Sequence, residues 1–357
     1  MTQMKIEDFG YNQKFEEYRK DNNLNSFGIG RVISEHKDRY IVKNETTELD
    51  AELLGNLRFS AESRNDLPAV GDWVAISEYD ENKALIHTVF PRFSKIERKT
   101  VGKSGQTQII ATNIDFGLIV QSVNRDFNIN RLERYLTICN SSKIEPIIVL
   151  SKIDLIEEVE LKSLINDIKE RIKNIQIISI SNPSQIGIEE IKNKMIKGRT
   201  YCLLGSSGVG KSTLINSLIG KKMMNTGQIS QSIDRGKHVT THRELIILET
   251  GILIDNPGMR EVGITSSSEA LEMTFDEIMR LTQDCKFSDC SHTNENNCAI
   301  INAIENEELD LESYDNFQKM ERERAFFESN QKEKKQKDKN LGKLIRQNQK
   351  KRRSDKY

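Results

Sequence analysis

Gly205-Ser206-Ser207-Gly208-Val209-Gly210-Lys211-Ser212 fits the phosphate-loop pattern G-x-x-x-x-G-K-[ST]. Its flanks decide the fold. Tyr201-Cys202-Leu203-Leu204 runs into it as a buried strand, and Thr213-Leu214-Ile215-Asn216-Ser217-Leu218-Ile219 leaves it as a helix. In that setting glycines let the backbone turn tightly, so that its N–H groups converge on phosphate oxygens. The helix N-terminus adds its dipole and its free donors. Lys211 is then expected to reach the β- and γ-phosphates and the Ser212 hydroxyl to bind Mg²⁺.

Outward from this loop, strands and helices alternate. Phe116–Val123, Pro146–Leu150 and Ile175–Ile180 read as apolar strands, with helices expected over Asn130–Cys139, Glu158–Lys173 and Ile188–Ile196. This alternation predicts a mostly parallel sheet with helices on both faces. Two further motifs stand at strand ends. Asp255-Asn256-Pro257-Gly258 follows Ile252-Leu253-Ile254, where a carboxylate can hold Mg²⁺ through water and the Gly258 N–H can meet a γ-phosphate. Ser151-Lys152-Ile153-Asp154 follows the strand ending at Leu150. Asp154 there can accept two hydrogen bonds from guanine N1–H and N2–H₂, donors that adenine lacks, with Lys152 along the base plane. Ser179-Ile180-Ser181 could offer backbone N–H groups to the guanine O6.

Before the sheet, residues 27–93 carry five short candidate strands: Gly28–Ser34, Tyr40–Lys43, Leu49–Leu54, Asp72–Ser77 and Leu85–Phe90. They suit a small closed barrel, with an oligonucleotide-binding (OB) fold leading and an SH3-like barrel as the alternative. Phe59, Trp73 and Tyr79 could stack on bases, although Trp73 within Gly-Asp-Trp-Val-Ala-Ile reads rather as core. Residues 1–26 form an amphipathic or frayed leader, and residues 94–113 a polar, basic, mobile connector.

After the sheet comes Cys285-x₄-Cys290-x-His292-x₅-Cys298, with three of the five cysteines and one of the five histidines of the chain. In a reducing compartment this spacing predicts a Cys₃His structural Zn²⁺ site, closed to catalysis by its four ligands. Helices are expected over Ser268–Leu281, Cys298–Asn306 and Leu311 to about Gln331, while Cys139 and Cys202 read as core. The 357-residue chain has net charge −1, unevenly placed: residues 331–357 carry twelve Lys/Arg against three Asp/Glu, so a +9 tail balances a body of −10. Such a tail suggests a polyanionic partner, most simply nucleic acid. A polar, charged N-terminus, five cysteines and the lack of a long apolar run predict a cytoplasmic protein with reduced thiols and no membrane span.

Together these motifs resemble those of the TRAFAC GTPases in rotated order: base-reading motifs, then phosphate loop, then switch elements. With the Gly236–Glu244 run G-K-H-V-T-T-H-R-E and the cysteine cluster, residues 27–325 resemble the circularly permuted small ribosomal subunit biogenesis GTPases. The resemblance implies an α/β, circularly permuted P-loop GTPase domain (114–265), preceded by an OB-fold barrel (27–93) and a linker (94–113). A helical zinc-binding domain (266–325) and a basic tail (326–357) follow. It implies GTP/GDP and Mg²⁺ as ligands, with contacts from Ile153, Val209 and Thr213 as well. It also implies a monomer that binds the 30S subunit and its 16S rRNA, with GTP hydrolysis stimulated by the subunit. The alternative is an rRNA-binding regulator in which hydrolysis is secondary; use of ATP is a third reading.

Two departures from the family pattern stand out. Ser151 replaces the usual Asn of N-K-x-D, removing an amide able to contact the base and brace the phosphate loop, so weaker guanine binding is expected. In the G-R-H-T-T-T run, Lys237 and Val239 are substitutions, leaving Thr240 or Thr241 to close on Mg²⁺. The slot after D-x-x-G is Met259, which cannot orient water. The resemblance gives that catalytic role to His238.

Overall fold

The computed structural model describes residues 4–36, 39–99, 107–124, 127–224, 243–255, 267–287, 289–293 and 295–329. Five strands, β1 (Gly28–His36), β2 (Arg39–Lys43), β3 (Glu48–Leu53), β4 (Trp73–Asp80) and β5 (Lys83–Val89), form the N-terminal barrel. Around the barrel the order is β1-β2-β3-β5-β4 and back to β1, with β3 and β5 parallel. The arrangement is that of an OB fold, not of an SH3-like barrel. Inward positions alternate along β2, and Val32, Val42, Leu49, Ala51, Val74, Ile76 and Ile86 fill the interior.

The leader is not frayed over its described part. A 3₁₀ turn at Ile6–Phe9 and α1 (Gln13–Asp21) carry Phe9, Tyr11 and Phe15 into a cluster with Trp73 and Phe90. Tyr11 meets Trp73 edge-on, with ring centroids 5.0 Å apart. Trp73 is therefore core, whereas Phe59 and Tyr79 are exposed. A short helix α2 (Gly55–Ser60) follows β3. The connector also has structure: β6 (Lys95–Lys99) pairs antiparallel with β7 (Thr107–Thr112), each offering apolar residues such as Ile96 and Ile109–Ala111 to the interior.

The second unit contains β8 (Phe116–Ser122), α3 (Ile129–Ser141), β9 (Glu145–Ser151), α4 (Glu158–Arg171) and β10 (Gln176–Ser179). It continues through α5 (Ile188–Lys194), β11 (Thr200–Leu204), α6 (Lys211–Met224), β12 (Glu244–Ile247) and β13 (Ile252–Asp255). Strand order is β10-β9-β8-β11-β13-β12, parallel up to β13, with β12 antiparallel at the end. Leu132 and Leu136 of α3 and Ile168 of α4 cover one face, packing with Ile119, Ile148 and Leu150. Ile188 and Ile191 of α5 and Leu214 and Leu218 of α6 cover the other, with Val120, Val149 and Leu203. Burial on both faces is why these strands read as unbroken apolar runs.

β12 also joins the barrel to this sheet. Ser34 of β1 pairs with Glu244 of β12, and Glu244 pairs with Asp255 of β13. Beneath that seam, Arg31 is 1 % exposed and donates to Phe9 O, Gly71 O, Asn113 O and Thr200 Oγ1 at 2.6–3.1 Å. One guanidinium thus ties leader, barrel, connector and sheet together.

At the C-terminal end the expected helix over Ser268–Leu281 is two helices, α7 (Ser268–Thr274) and α8 (Asp276–Gln283). The chain turns at Phe275 (φ −117°, ψ 45°), whose buried ring packs edge-on against Phe317 at 5.4 Å. Next come α9 (Ala299–Glu305) and α10, helical over residues 311–329. Leu271, Ile278, Ile300, Leu309 and Met320 form the core of this bundle. A buried network fixes it to α3 and α4: Glu133 (2 % exposed) accepts from Arg171 Nε at 2.7 Å, Ser313 Oγ at 3.0 Å and Asn316 Nδ2 at 2.6 Å.

Candidate nucleotide site and metal centre

The parallel strands all end at one edge of the sheet, the edge at which open α/β sheets place ligands. The loop from Gly205 to Ser212 turns there. Gly205 (φ +144°) lies so close to β8 that an added Cβ would stand 2.3 Å from Val120 O. Gly208 and Gly210, at φ +83° and +97°, occupy backbone conformations that side chains disfavour. Val209 is buried and anchors the loop, while Ser207, Ser212 and Thr213 face solvent. Lys211 opens α6, and its ammonium donates to Gly205 O at 2.8 Å and Ser206 O at 2.6 Å, arching over the loop. The loop, a cationic arch and a helix N-terminus together form an anion cradle.

Asp255 ends β13 at the same edge. Burial raises its pKa, and Lys211 lowers it. A desolvated carboxylate within the field of the arching ammonium is suited to meeting a divalent cation.

The base-reading segment adjoins the same loop. Ser151, fully buried, donates its hydroxyl to Val209 O at 2.6 Å. The brace expected to be lost with the asparagine is therefore kept: a shorter side chain reaches the loop carbonyl directly. Lys152 takes a left-handed conformation (φ +60°) that swings the chain into the 3₁₀ turn Ile153–Leu155. There Asp154 is held by Ser181, whose hydroxyl donates to Asp154 Oδ1 at 2.6 Å. Ser179 lies within β10, and the N–H groups of Ile180 and Ser181 donate to Leu150 O and Ile186 O. The first residue after them without a backbone partner for its N–H among the described residues is Asn182. The chain thus leaves the strand at Ser181-Asn182, and Ser179 lies before that turn. Its signal in the sequence is Asn182-Pro183, a turn dipeptide that marks where the chain leaves the strand.

At the other end of the chain, Cys285, Cys290, His292 and Cys298 converge, with all four ligand atoms within 4.8 Å of one another. Cys285 Sγ is 3.5 Å from His292 Nδ1 and 3.9 Å from Cys298 Sγ, and His292 Nδ1 is 3.4 Å from Cys298 Sγ. A tetrahedron with Zn–S arms of about 2.3 Å has edges of about 3.8 Å. The donor set fits such a site. Burial, reinforced by the thiols of Cys298 and Cys285, pushes the Cys290 thiol up to about 11. The Cys290 thiolate therefore forms readily only beside a cation. His292 (φ +57°) and Asn297 (φ +62°) supply the tight turns that bring the ligands round.

The family profile described as RsgA GTPase matches residues 89–265. One described as ABC transporter matches residues 188–355, a span containing the same phosphate loop. Among curated proteins, small ribosomal subunit biogenesis GTPase RsgA 1 of Listeria innocua is 41 % identical over 325 residues, covering 90 % of each chain. The chain belongs to the RsgA GTPase family. The corresponding protein of Bacteroides thetaiotaomicron is 35 % identical over 340 residues, covering 94 % of each chain. The crystal structure of YjeQ from Thermotoga maritima superposes with TM-score 0.62 at 26 % identity, covering 83 % of this chain and 98 % of that one. YloQ, described as a circularly permuted GTPase, shares the fold at TM-score 0.60 and 24 % identity, covering 84 % of this chain and 95 % of that one. No helix among the described residues is long and apolar enough to cross a membrane.

Against that membership, the elements brought together are the phosphate loop, the Ser151–Asp154 segment and Asp255. His238, Thr240, Thr241 and Gly258 lie outside the described residues. In this RsgA GTPase Ser181, expected from the sequence only to offer a backbone N–H, holds Asp154 through its hydroxyl, and Asn182 beside it stands outside the Ser179–Ser181 segment read from the sequence.

Proposed function

We propose that this chain hydrolyses GTP to GDP and phosphate on the small ribosomal subunit during its late maturation. The observation that carries the reading is the bond from Ser151 to Val209. It locks the segment bearing Asp154 against the loop bearing Lys211, so one guanosine phosphate can be gripped at both ends. The names of the relatives support the subunit as the partner.

Gly205–Thr213 receive the phosphates, with Lys211 neutralising charge that grows on them during transfer. Ser212 and Asp255, with Thr240 or Thr241, would hold Mg²⁺, which would supply charge neutralisation to the phosphates. Asp154 reads guanine, with Lys152 and Ile153 lining the base. Gly258 meets the γ-phosphate, and His238 orients the attacking water in place of Met259. Zn²⁺ is the ion suited to Cys285, Cys290, His292 and Cys298, where it staples the C-terminal bundle. The barrel (27–93) and the basic tail (326–357) flank the GTPase unit and contact 16S rRNA through its phosphates, as a cytoplasmic monomer would.

GTP turnover titrated with purified small subunits tests this. Stimulation by the subunit, abolished in His238→Ala, is expected. Equal rates with and without subunits would count against it. Hydrolysis-dead variants that still leave the subunit normally would favour a nucleotide-gated RNA binder.

A further inference from the structure

Asn182 stands between the two halves of the nucleotide site. It is 8 % exposed, and it begins the turn that follows β10. Its backbone oxygen accepts from Gln185 Nε2 at 2.6 Å, and its Oδ1 accepts from Ser217 Oγ at 3.4 Å. The amide nitrogen Nδ2 has no hydrogen-bond acceptor among the described residues.

Its position is fixed by the phosphate loop. A Cβ on Gly210 would stand 3.4 Å from Asn182 Nδ2 and 3.9 Å from Ser151 Oγ. An amide from the turn after β10 and a hydroxyl from the end of β9 therefore converge on the same glycine. The hydroxyl is committed to Val209 O. The amide is not committed, and its neighbour Ser181 holds Asp154. The uncommitted donor thus lies beside Gly210 of the phosphate loop, one residue from the serine that holds Asp154, at the border of the space between that carboxylate and the loop.

The reading above puts a guanine in that space, with N1–H and N2–H₂ on Asp154. The far edge of the purine then presents N7, an acceptor without a hydrogen. We propose that Asn182 Nδ2 donates to N7 of the bound guanine. The asparagine amide missing at position 151 is supplied from position 182, and Ser151 keeps only the bracing half of the task. This inference rests on the nucleotide reading but concerns a different edge of the base, so the two can fail separately.

The experiment measures dissociation constants of the full chain for GDP, 7-deaza-GDP (carbon in place of N7) and ADP. One hydrogen bond to N7 predicts binding of 7-deaza-GDP about tenfold weaker than GDP by wild type. Asn182→Ala should bind GDP about tenfold more weakly and no longer distinguish it from the 7-deaza analogue. Adding Ser151→Asn to Asn182→Ala should restore both affinity and discrimination. Wild type that binds GDP and 7-deaza-GDP alike would overturn the proposal, and this arm needs no variant to fold. Retained discrimination in a folded Asn182→Ala would overturn it as well. ADP bound as tightly as GDP while 7-deaza-GDP remains weak would sink the role of Asp154 and leave the N7 contact standing.

Discussion

At one side of the parallel sheet a buried cation, Arg31, hydrogen-bonds to neutral acceptors; at the other a carboxylate, Glu133, is buried against a cation. The first junction spreads its charge over three backbone carbonyls and one hydroxyl from four chain segments. Burial pushes the guanidinium down to about 10, which leaves it charged at neutral pH. The single pair of Ser34 in β1 with Glu244 in β12 then joins barrel and sheet in one hydrogen-bonded sheet. The second junction is made of side chains. Arg171 bridges Glu133, Asn130 and Asp310, and Thr274 meets Thr137 and Asn140. No described strand crosses it, and the bundle beyond would lean on a metal held by its Cys₃His cluster. Backbone continuity gives the first junction stiffness, whereas rotamer changes alone could let the second shift.

The largest expected effect tests that dependence. Chelating the metal, or replacing Cys298 by Ser, should unfold the helices around the cluster, because structural zinc in small domains supplies about 10–16 kcal/mol of apparent binding energy. Loss of helical circular dichroism together with rapid thiol labelling of Cys285 and Cys290 would show it. Barrel and sheet should keep their cooperative unfolding transition. Next, Arg31→Met should cost about 5 kcal/mol by denaturant unfolding, since four buried acceptors lose their donor at about 1–3 kcal/mol each, partly relieved by relaxation. Glu133→Ala removes the buried acceptor shared by Arg171, Ser313 and Asn316, leaves Arg171 chiefly its half-exposed partner Asp310, and should cost about 3 kcal/mol. Limited proteolysis separates the two: the first variant should open residues 4–26, the second α10.

The smallest effect concerns Asp255. Its raised pKa means that the charged form destabilises the fold when no cation is bound. Stability from this carboxyl is present below its unfolded pKa of about 3.9 and is lost as pH rises through the higher folded value. Asp255→Asn should therefore raise the melting temperature without divalent cations by the equivalent of about 1 kcal/mol at neutral pH. The gain should vanish near pH 4, and the variant should lose Mg²⁺-dependent tightening of nucleotide binding. A flat difference between about pH 4 and pH 8 would contradict this account.

The sheet and the phosphate loop were legible because their signals are local: apolar runs such as Ile147–Leu150, a glycine pattern, and cysteines at ligand spacing. What the sequence hid was long-range. Phe9, Tyr11 and Phe15 sit in a polar leader, and only their docking on Trp73 gives them a core to join. β12 has four residues and reads as part of a switch run until Ser34 pairs with it. Arg31 and Glu133 look like solvated charges on a strand and a helix, since nothing local says which acceptors will surround them. The end of a short strand is poorly marked, so Ser179-Ile180-Ser181 reads as a free loop, whereas Ser179 lies in β10 and the N–H groups of Ile180 and Ser181 are taken by Leu150 and Ile186.

Ser34, Glu244 and Asp255 form three successive rungs across neighbouring strands, a span of about 10 Å. The barrel's first strand and the carboxylate proposed to sense the cation thus share one hydrogen-bonded fabric. A shift of the barrel would therefore reach that carboxylate across two strand pairings, the first of them the single Ser34–Glu244 pair.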